Sequence, residues 1–155
     1  MGRVSLLLVV VITLGAGCGG ADSTASDRPC VVSEVEMASI WDASEVRAHP
    51  QDNGYECVYA AENQPIVALA VRSPQEFEAE RNRFEDWGVL LPPLEPVSGF
   101  DEEANVDPRY NSLNVTAGDF VVSVEILGAE PADPGEQLVI EKRIAQAAIS
   151  QLKSA

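Results

Sequence analysis

Apolar residues fall along this chain in two periods, one of three to four residues and one of two, and turn residues mark where each begins and ends. Three stretches carry helix-start chemistry ahead of the longer period. Ser33-Glu34-Val35-Glu36 reads as a capping box before an apolar-spaced stretch that runs to Trp41. Ser73-Pro74-Gln75-Glu76 combines a cap, a first-turn proline and a glutamate at the third position. It predicts a charged helix to about Trp87, whose apolar contacts reduce to Phe77, Phe84 and Trp87. Asp133-Pro134-Gly135-Glu136 repeats the device before a long helix to about Leu152. The apolar side of that helix holds Leu138, Ile140, Ile144, Ala145, Ala148, Ile149 and Leu152, with Lys142, Arg143, Gln146 and Ser150 opposite. Glu141 falls close to the apolar side, and the pattern offers no reason for it.

The shorter period marks strands. Tyr55 to Ala60 alternates, which sets Tyr55, Cys57 and Tyr59 on one face. Ile66 to Val71 is apolar on both faces and so reads as a central strand. Tyr110 to Thr116 and Asp119 to Leu127 flank Ala117-Gly118, a hairpin signal, with Phe120, Val122, Val124 and Ile126 sharing the core face. Gln51 to Gly54 and Glu62 to Pro65 are turns. Leu91-Pro92-Pro93-Leu94-Glu95-Pro96 reads as an irregular connection, because proline denies both helix and ladder. The order is helix, hairpin, helix, proline-rich passage, hairpin, helix. It predicts an α+β domain, an antiparallel sheet of about four to five strands covered by helices on one face.

The first residues follow a different rule. Arg3 precedes an apolar run from Val4 to Leu14, broken only by Ser5 and Thr13, and small residues lead from there into Cys18. A short charged start, a brief apolar stretch and a small-residue exit are the parts of an export signal. The run is too short to span a bilayer as a helix, which takes about 20 residues. A cysteine at the exit resembles the bacterial lipobox, in which that cysteine becomes the N-terminus and carries acyl chains; Gly15 stands where a large aliphatic residue is usual. The expected organisation is a lipoprotein signal over 1–17, a tether over 18–29 beginning at lipidated Cys18, and one domain over 30–155. Ordinary secretion, with cleavage at Gly17|Cys18 or Ala21|Asp22, is the alternative. The tether reading rests on small polar residues with no apolar period from Gly19 to Pro29.

Charge narrows the range of partners. The chain has 25 acidic against 10 basic side chains, a formal charge of −15, and loss of the leader with Arg3 makes it one unit more negative. Such a surface has no electrostatic route to nucleic acid. Anionic headgroups also repel it, so attachment to a membrane falls to the acyl chains.

Cysteine and histidine usage narrows the chemistry. With Cys18 acylated, Cys30 and Cys57 remain as a pair in an oxidising compartment, where a disulfide forms and persists. Two buried free thiols are the alternative. A metal site fits less well, since neither cysteine has a second ligand at close spacing and His49 is the only histidine. His49 precedes Pro50 in a polar stretch and reads as a surface loop residue. Neither a Gly-x-Ser-x-Gly elbow, nor a phosphate-cradling glycine loop, nor a His-Glu-x-x-His pair occurs. Asp101, Glu103, Asn105 and Asp107 imitate the start of a calcium loop, but Val106 stands where the sharp turn wants glycine and Ser112 where a bidentate glutamate should close the shell. The run therefore reads as an exposed acidic loop, and the sequon Asn114-Val115-Thr116 as a strand segment. No cofactor, metal or catalytic set is expected.

Cys30-Val31-Val32, Cys57-Val58-Tyr59 and Gly99-Phe100-Asp101-Glu102-Glu103-Ala104, in that order behind a leader and before a hairpin and terminal helix, resemble one group. It is the small actinobacterial lipoproteins with an uncharacterised extracytoplasmic domain, whose pattern runs C-x-L-L, C-x-Y, G-L-G-D-E-A. The chain departs from it in Val31-Val32 and in Asp101, which replaces the second glycine. The resemblance covers about Cys30 to Leu152. It implies a lipid-anchored, disulfide-bearing domain of the sheet-and-helix type seen in photosystem-assembly and Ran-binding relatives, and it assigns no reaction, substrate or partner.

Two functions of different class follow as expectations. The first is a non-catalytic binding or accessory module of the cell envelope, docking a protein, a polymer or a small apolar ligand, with Phe100, Asp101 and Glu103 as a recognition loop. The second is a carrier or enzyme acting on an envelope component in a cleft. A deep apolar cavity with converging polar groups would favour the second, and a closed core with an apolar surface patch the first.

Overall fold

The computed structural model describes residues 30–128 and 133–154. The leader, Cys18 and the tether lie outside the described residues. Ten elements follow in chain order: α1 (Glu34–Trp41), β1 (Val46–Pro50), β2 (Glu56–Ala61), β3 (Ile66–Arg72), α2 (Pro74–Asp86), β4 (Glu95–Pro96), β5 (Glu103–Asp107), β6 (Ser112–Ala117), β7 (Phe120–Leu127) and α3 (Pro134–Ser154).

The helices begin where their caps do. Ser33 Oγ accepts from the Glu36 amide at 3.2 Å. At α2 the exchange is reciprocal: Ser73 Oγ accepts from the Glu76 amide while Glu76 Oε2 accepts from the Ser73 amide. Asp133 Oδ1 accepts from the Gly135 amide at the start of α3. Helix α1 ends at Asp42, which takes the left-handed conformation and donates its amide to the Ala38 carbonyl.

All seven strands form one antiparallel sheet in the order β1-β2-β3-β7-β6-β5-β4. The α+β class and the central place of β3 agree with the sequence pattern. The strand number does not: β1, β4 and β5 are additions to the expected sheet. The polar stretch with His49 pairs along β2, so His49 is an exposed strand residue and not a loop residue. The acidic run is strand β5, whose Ala104 is buried on the core face and whose Val106 packs beside it. Glu103 and Asp107 alternate onto the face opposite the core, Glu103 exposed and Asp107 covered by α2 and Arg109, and charge at alternate positions reads like a loop when only the sequence is seen. Two residues of the proline passage pair as β4, at the sheet edge where proline is tolerated. The β6–β7 turn is Gly118-Asp119, one residue later than expected, because Gly118 takes a φ of +62°.

The core lies on one sheet face. Cys57, Tyr59, Val67, Leu69, Leu113, Val115, Val122 and Val124 are fully buried beneath Met37 and Trp41 of α1 and Ile144, Ala145 and Ala148 of α3. Arg143 of α3 donates to the Ile40 carbonyl oxygen, tying the two helices together. Cys30 and Cys57 are joined as a disulfide, with Cα atoms 5.0 Å apart. Beside that link Tyr59 Oη donates to the Val32 carbonyl oxygen at 2.8 Å, so the chain entering α1 is held to β2 twice. Glu141 is 1% exposed within this layer, and Gln137 Nε2 donates to its Oε1 at 2.8 Å.

Helix α2 corrects the expectation that helices cover one face. Its Phe77, Glu80 and Arg81 lie over the opposite face, against Ala68, Ala70 and Arg72 of β3. It covers that face only in part.

Candidate functional site

What α2 leaves uncovered is a cavity of about 240 Å³. Strand alternation determines its floor. Since Val67, Leu69 and Val71 point to the core, Ala68, Ala70 and Arg72 point the other way, and Ser123 and Glu125 do the same on β7. Register sets Ala70 opposite Ser123, Ala68 opposite Glu125, and Asn114 opposite Ser123 on its other side. The small alanines leave the space; Ser123, Asn114 and Ser112 make part of the floor polar.

Charges ring this floor, and each arginine is already engaged. Asp107, buried at the end of β5, receives two guanidinium groups. Arg81 Nη1 donates to its Oδ2 at 3.2 Å, and Arg109 Nη2 donates to the same oxygen at 2.8 Å. The Arg109 amide and Nε occupy Asp107 Oδ1. Burial pushes the Asp107 carboxyl up, but the Arg109 hydrogen bonds and both positive charges outweigh it and hold the group below its ordinary range. The hydrogen bond to Asp107 in turn raises Arg109. Arg72 pairs with Glu80, and its guanidinium lies 5.3 Å from the Tyr55 ring centre and 5.9 Å from that of Phe77. Burial lowers Arg72.

The remaining carboxylates differ. Glu125 is half-buried and has no ion pair among the described residues. Burial raises its pKa, and the negative charges of Glu56 and Asp107 add to the effect. The Glu56 carboxylate accepts from Asn53 Nδ2 at 3.0 Å. On the floor, Ser123 is 6% exposed and its Oγ is buried with no hydrogen-bond partner among the described residues. A buried hydroxyl without a partner costs about 1–3 kcal/mol, so a group that completes it is favoured.

The rim is aromatic on the α2 side. Arg109 lies over the rings of Phe84 and Tyr110 at 5.0 and 4.7 Å, and Phe84 meets Trp87 edge-on. Beyond Gly88 the chain exposes Leu90 by 96%, and just before it Trp87 by 69%.

The residues expected to recognise a partner lie elsewhere. Phe100 packs partly buried against the core, Asp101 is exposed before β5, and Glu103 begins β5 opposite Thr116. Their neighbourhood leans on α3, through the Glu102–Lys153 ion pair and a bond from Lys142 Nζ to the Ser98 carbonyl. Phe100 and Asp101 line a groove against α3 with Glu102, Ile149 and Lys153, whereas Glu103 alternates with core-facing Ala104 and lies on the other face of the sheet. The calcium-like spacing fails for a further reason. An extended strand spreads alternate residues by about 6.6 Å, so Glu103, Asn105 and Asp107 cannot wrap one ion.

Alternation predicts Tyr55 on the core face with Cys57 and Tyr59, but it precedes β2 and lines the cavity instead. Arg72, Arg81, Arg109, Ser123 and Glu125 carry the site without any motif. One signal is present: Ser123 and Glu125 alternate with valines in a strand whose other face is wholly apolar. Comparison of the chain with family models, curated proteins and solved structures gives no match.

Proposed function

We propose that this chain is a lipid-anchored, extracytoplasmic binding protein of the bacterial envelope that works without turnover, and that its ligand seat is the cavity on the α2 side of the sheet. The anchoring rests on the leader and Cys18, and the kinship with small actinobacterial lipoproteins on the three ordered motifs. The observation that carries the binding reading is Ser123. Its hydroxyl is buried and unpartnered in the floor of an open cavity whose arginines are all engaged in ion pairs. Pre-formed pockets with a few convergent polar groups are the usual seats of small ligands. The cavity is more polar than the apolar cleft that would suit a carrier of apolar molecules.

Screening small polar fragments by amide shifts in the labelled protein tests this. Binders should move Ala68, Ala70, Ser123 and Asn114 together. Shifts confined to other surfaces, or chemical conversion of a bound compound, would overturn the reading.

A second reading is favoured by Trp87 and Leu90, large apolar residues exposed in the passage that follows α2. In that reading the same module docks an envelope protein. Trp87→Ser with Leu90→Ser would then abolish partner capture while leaving fragment binding intact.

A further inference from the structure

We propose that the cavity selects a small organic cation, an aliphatic amine in its ammonium form, held at Glu125 and Glu56 with Ser123 Oγ accepting one of its hydrogen bonds. This rests on the cavity being the ligand seat and adds the class of ligand.

Charge in the cavity is unevenly matched. The lining carries three guanidinium groups and four carboxylates. Asp107 takes Arg81 and Arg109, and Glu80 takes Arg72. Each cation of the lining is thus already paired, and neither Glu125 nor Glu56 takes part in an ion pair among the described residues. An anionic ligand would have to share these guanidinium groups with carboxylates that already engage them, Asp107 through both its oxygens. A cationic ligand displaces nothing and meets Glu125, which has no ion-pair partner among the described residues, with Glu56 beside it feeling only the already paired Arg72.

Glu125 is the better of the two carboxylates, because it sits beside Ala68 on the sheet and has no hydrogen-bond partner among the described residues. Burial and its negative neighbours destabilise its charge, and a bound ammonium would reverse that. Ser123 supplies the second, independent point. Its hydroxyl is adjacent in register to Ala70 and Asn114 and can accept from an N–H that no side chain now provides. Ala68 and Ala70 leave a flat apolar strip for a short hydrocarbon.

The Nε of Arg72 is also buried and without a partner. It belongs to a guanidinium already neutralised by Glu80 and covered by Tyr55 and Phe77, so it offers a hydrogen bond and no net charge. The field of the whole chain, at −15, draws cations toward any such opening.

Three probes of equal length decide it: n-butylammonium, n-butanol and butyrate, titrated into the protein at neutral pH and low salt while the amides of Ala68, Ala70, Ser123 and Glu125 are followed. Butylammonium should bind at least about tenfold more tightly than butanol, and butyrate more weakly than either. Glu125→Gln should remove that advantage and leave butanol binding as it was. Ser123→Ala should weaken butylammonium by a smaller factor. If butanol or butyrate moves these amides at equal or lower concentration than butylammonium, the cavity is a ligand seat and the cation is wrong. If none of the three moves them, while fragments of other classes do, the cation is again wrong. If nothing moves them, the ligand seat itself is lost. The wild-type series discriminates among these outcomes even where a variant does not fold.

Discussion

Arg81 of α2 reaches Asp107 at the end of β5, with its Nη1 3.2 Å from Oδ2, across 26 residues of chain. This contact ties the helix on the open face to the strand that the acidic run becomes. It also turns what looks like a loop carboxylate into the anchor of two guanidinium groups, since Arg109 shares the same oxygen.

Asp107→Asn is expected to destabilise the domain by about 2–4 kcal/mol at neutral pH, because it leaves two poorly solvated cations without their charge partner. The pH dependence has a definite sign. The folded carboxyl lies below its ordinary value of 3.8, so its contribution is full above that value and is lost as pH falls through the folded one. Urea unfolding of both proteins at neutral and at strongly acid pH checks this. The gap between them should be wide at neutral pH and close in acid, and a gap under about 0.5 kcal/mol at neutral pH would reduce the pairs to surface contacts.

Glu141 shows the opposite dependence. Burial pushes its carboxyl up to about 7, the Gln137 hydrogen bond partly counters this, and Glu125 adds to the rise. The folded state therefore holds a proton that the unfolded state has released, and stability falls as pH rises from about 4.5 to about 7. Glu141→Gln should remove that fall and be more stable than wild type at pH above 7, by an amount on the order of 3 kcal/mol. Thermal melts of both proteins across this range measure it. Parallel curves would show that Glu141 is not the group responsible.

Replacing Cys30 and Cys57 together by serine should cost about 3–4 kcal/mol, the chain entropy of the closed loop. Wild-type protein treated with a reducing agent should lose the same amount. Non-reducing peptide mapping identifies the link directly. Free thiols at both positions in protein made in an oxidising compartment would contradict it.

Cys18 is expected to be the first residue of the processed protein and to carry acyl chains. Mass spectrometry of protein from the native membrane should find the modification, and Cys18→Ser should release the protein. An unmodified Cys18 on soluble protein would return the leader to ordinary secretion.

Tyr59→Phe removes the hydroxyl that donates to the Val32 carbonyl oxygen and leaves that buried oxygen unmet. A loss of about 1–2 kcal/mol is expected by chemical denaturation, with the disulfide still formed. A neutral substitution would mean that the disulfide alone holds the chain entering α1.

The features legible in the chain alone are those whose causes lie within a few residues. Ser33, Ser73 and Asp133 cap helices because each side chain meets an amide two or three positions on. The apolar period of β3 and β7 implies a buried face whatever lies across it, and the two cysteines remaining after Cys18 suggest each other. Tertiary structure alone decided the rest, for reasons of distance and sidedness. An acidic run such as Glu103 to Asp107 is a strand only because β6 and β4 flank it, and the sequence shows its outward charges more plainly than its buried Ala104. The same holds for the site. Ser123 and Glu125 become a cavity floor only when α2 crosses the sheet's second face and Ala68 and Ala70 of β3 leave room beside them. Glu141, without a reason in the pattern, finds Gln137 one turn before it on its own helix, but its burial comes from the sheet beneath. Side chains that meet across strands carry no fixed spacing, so the sequence could contain the parts of the cavity without marking that they belong together.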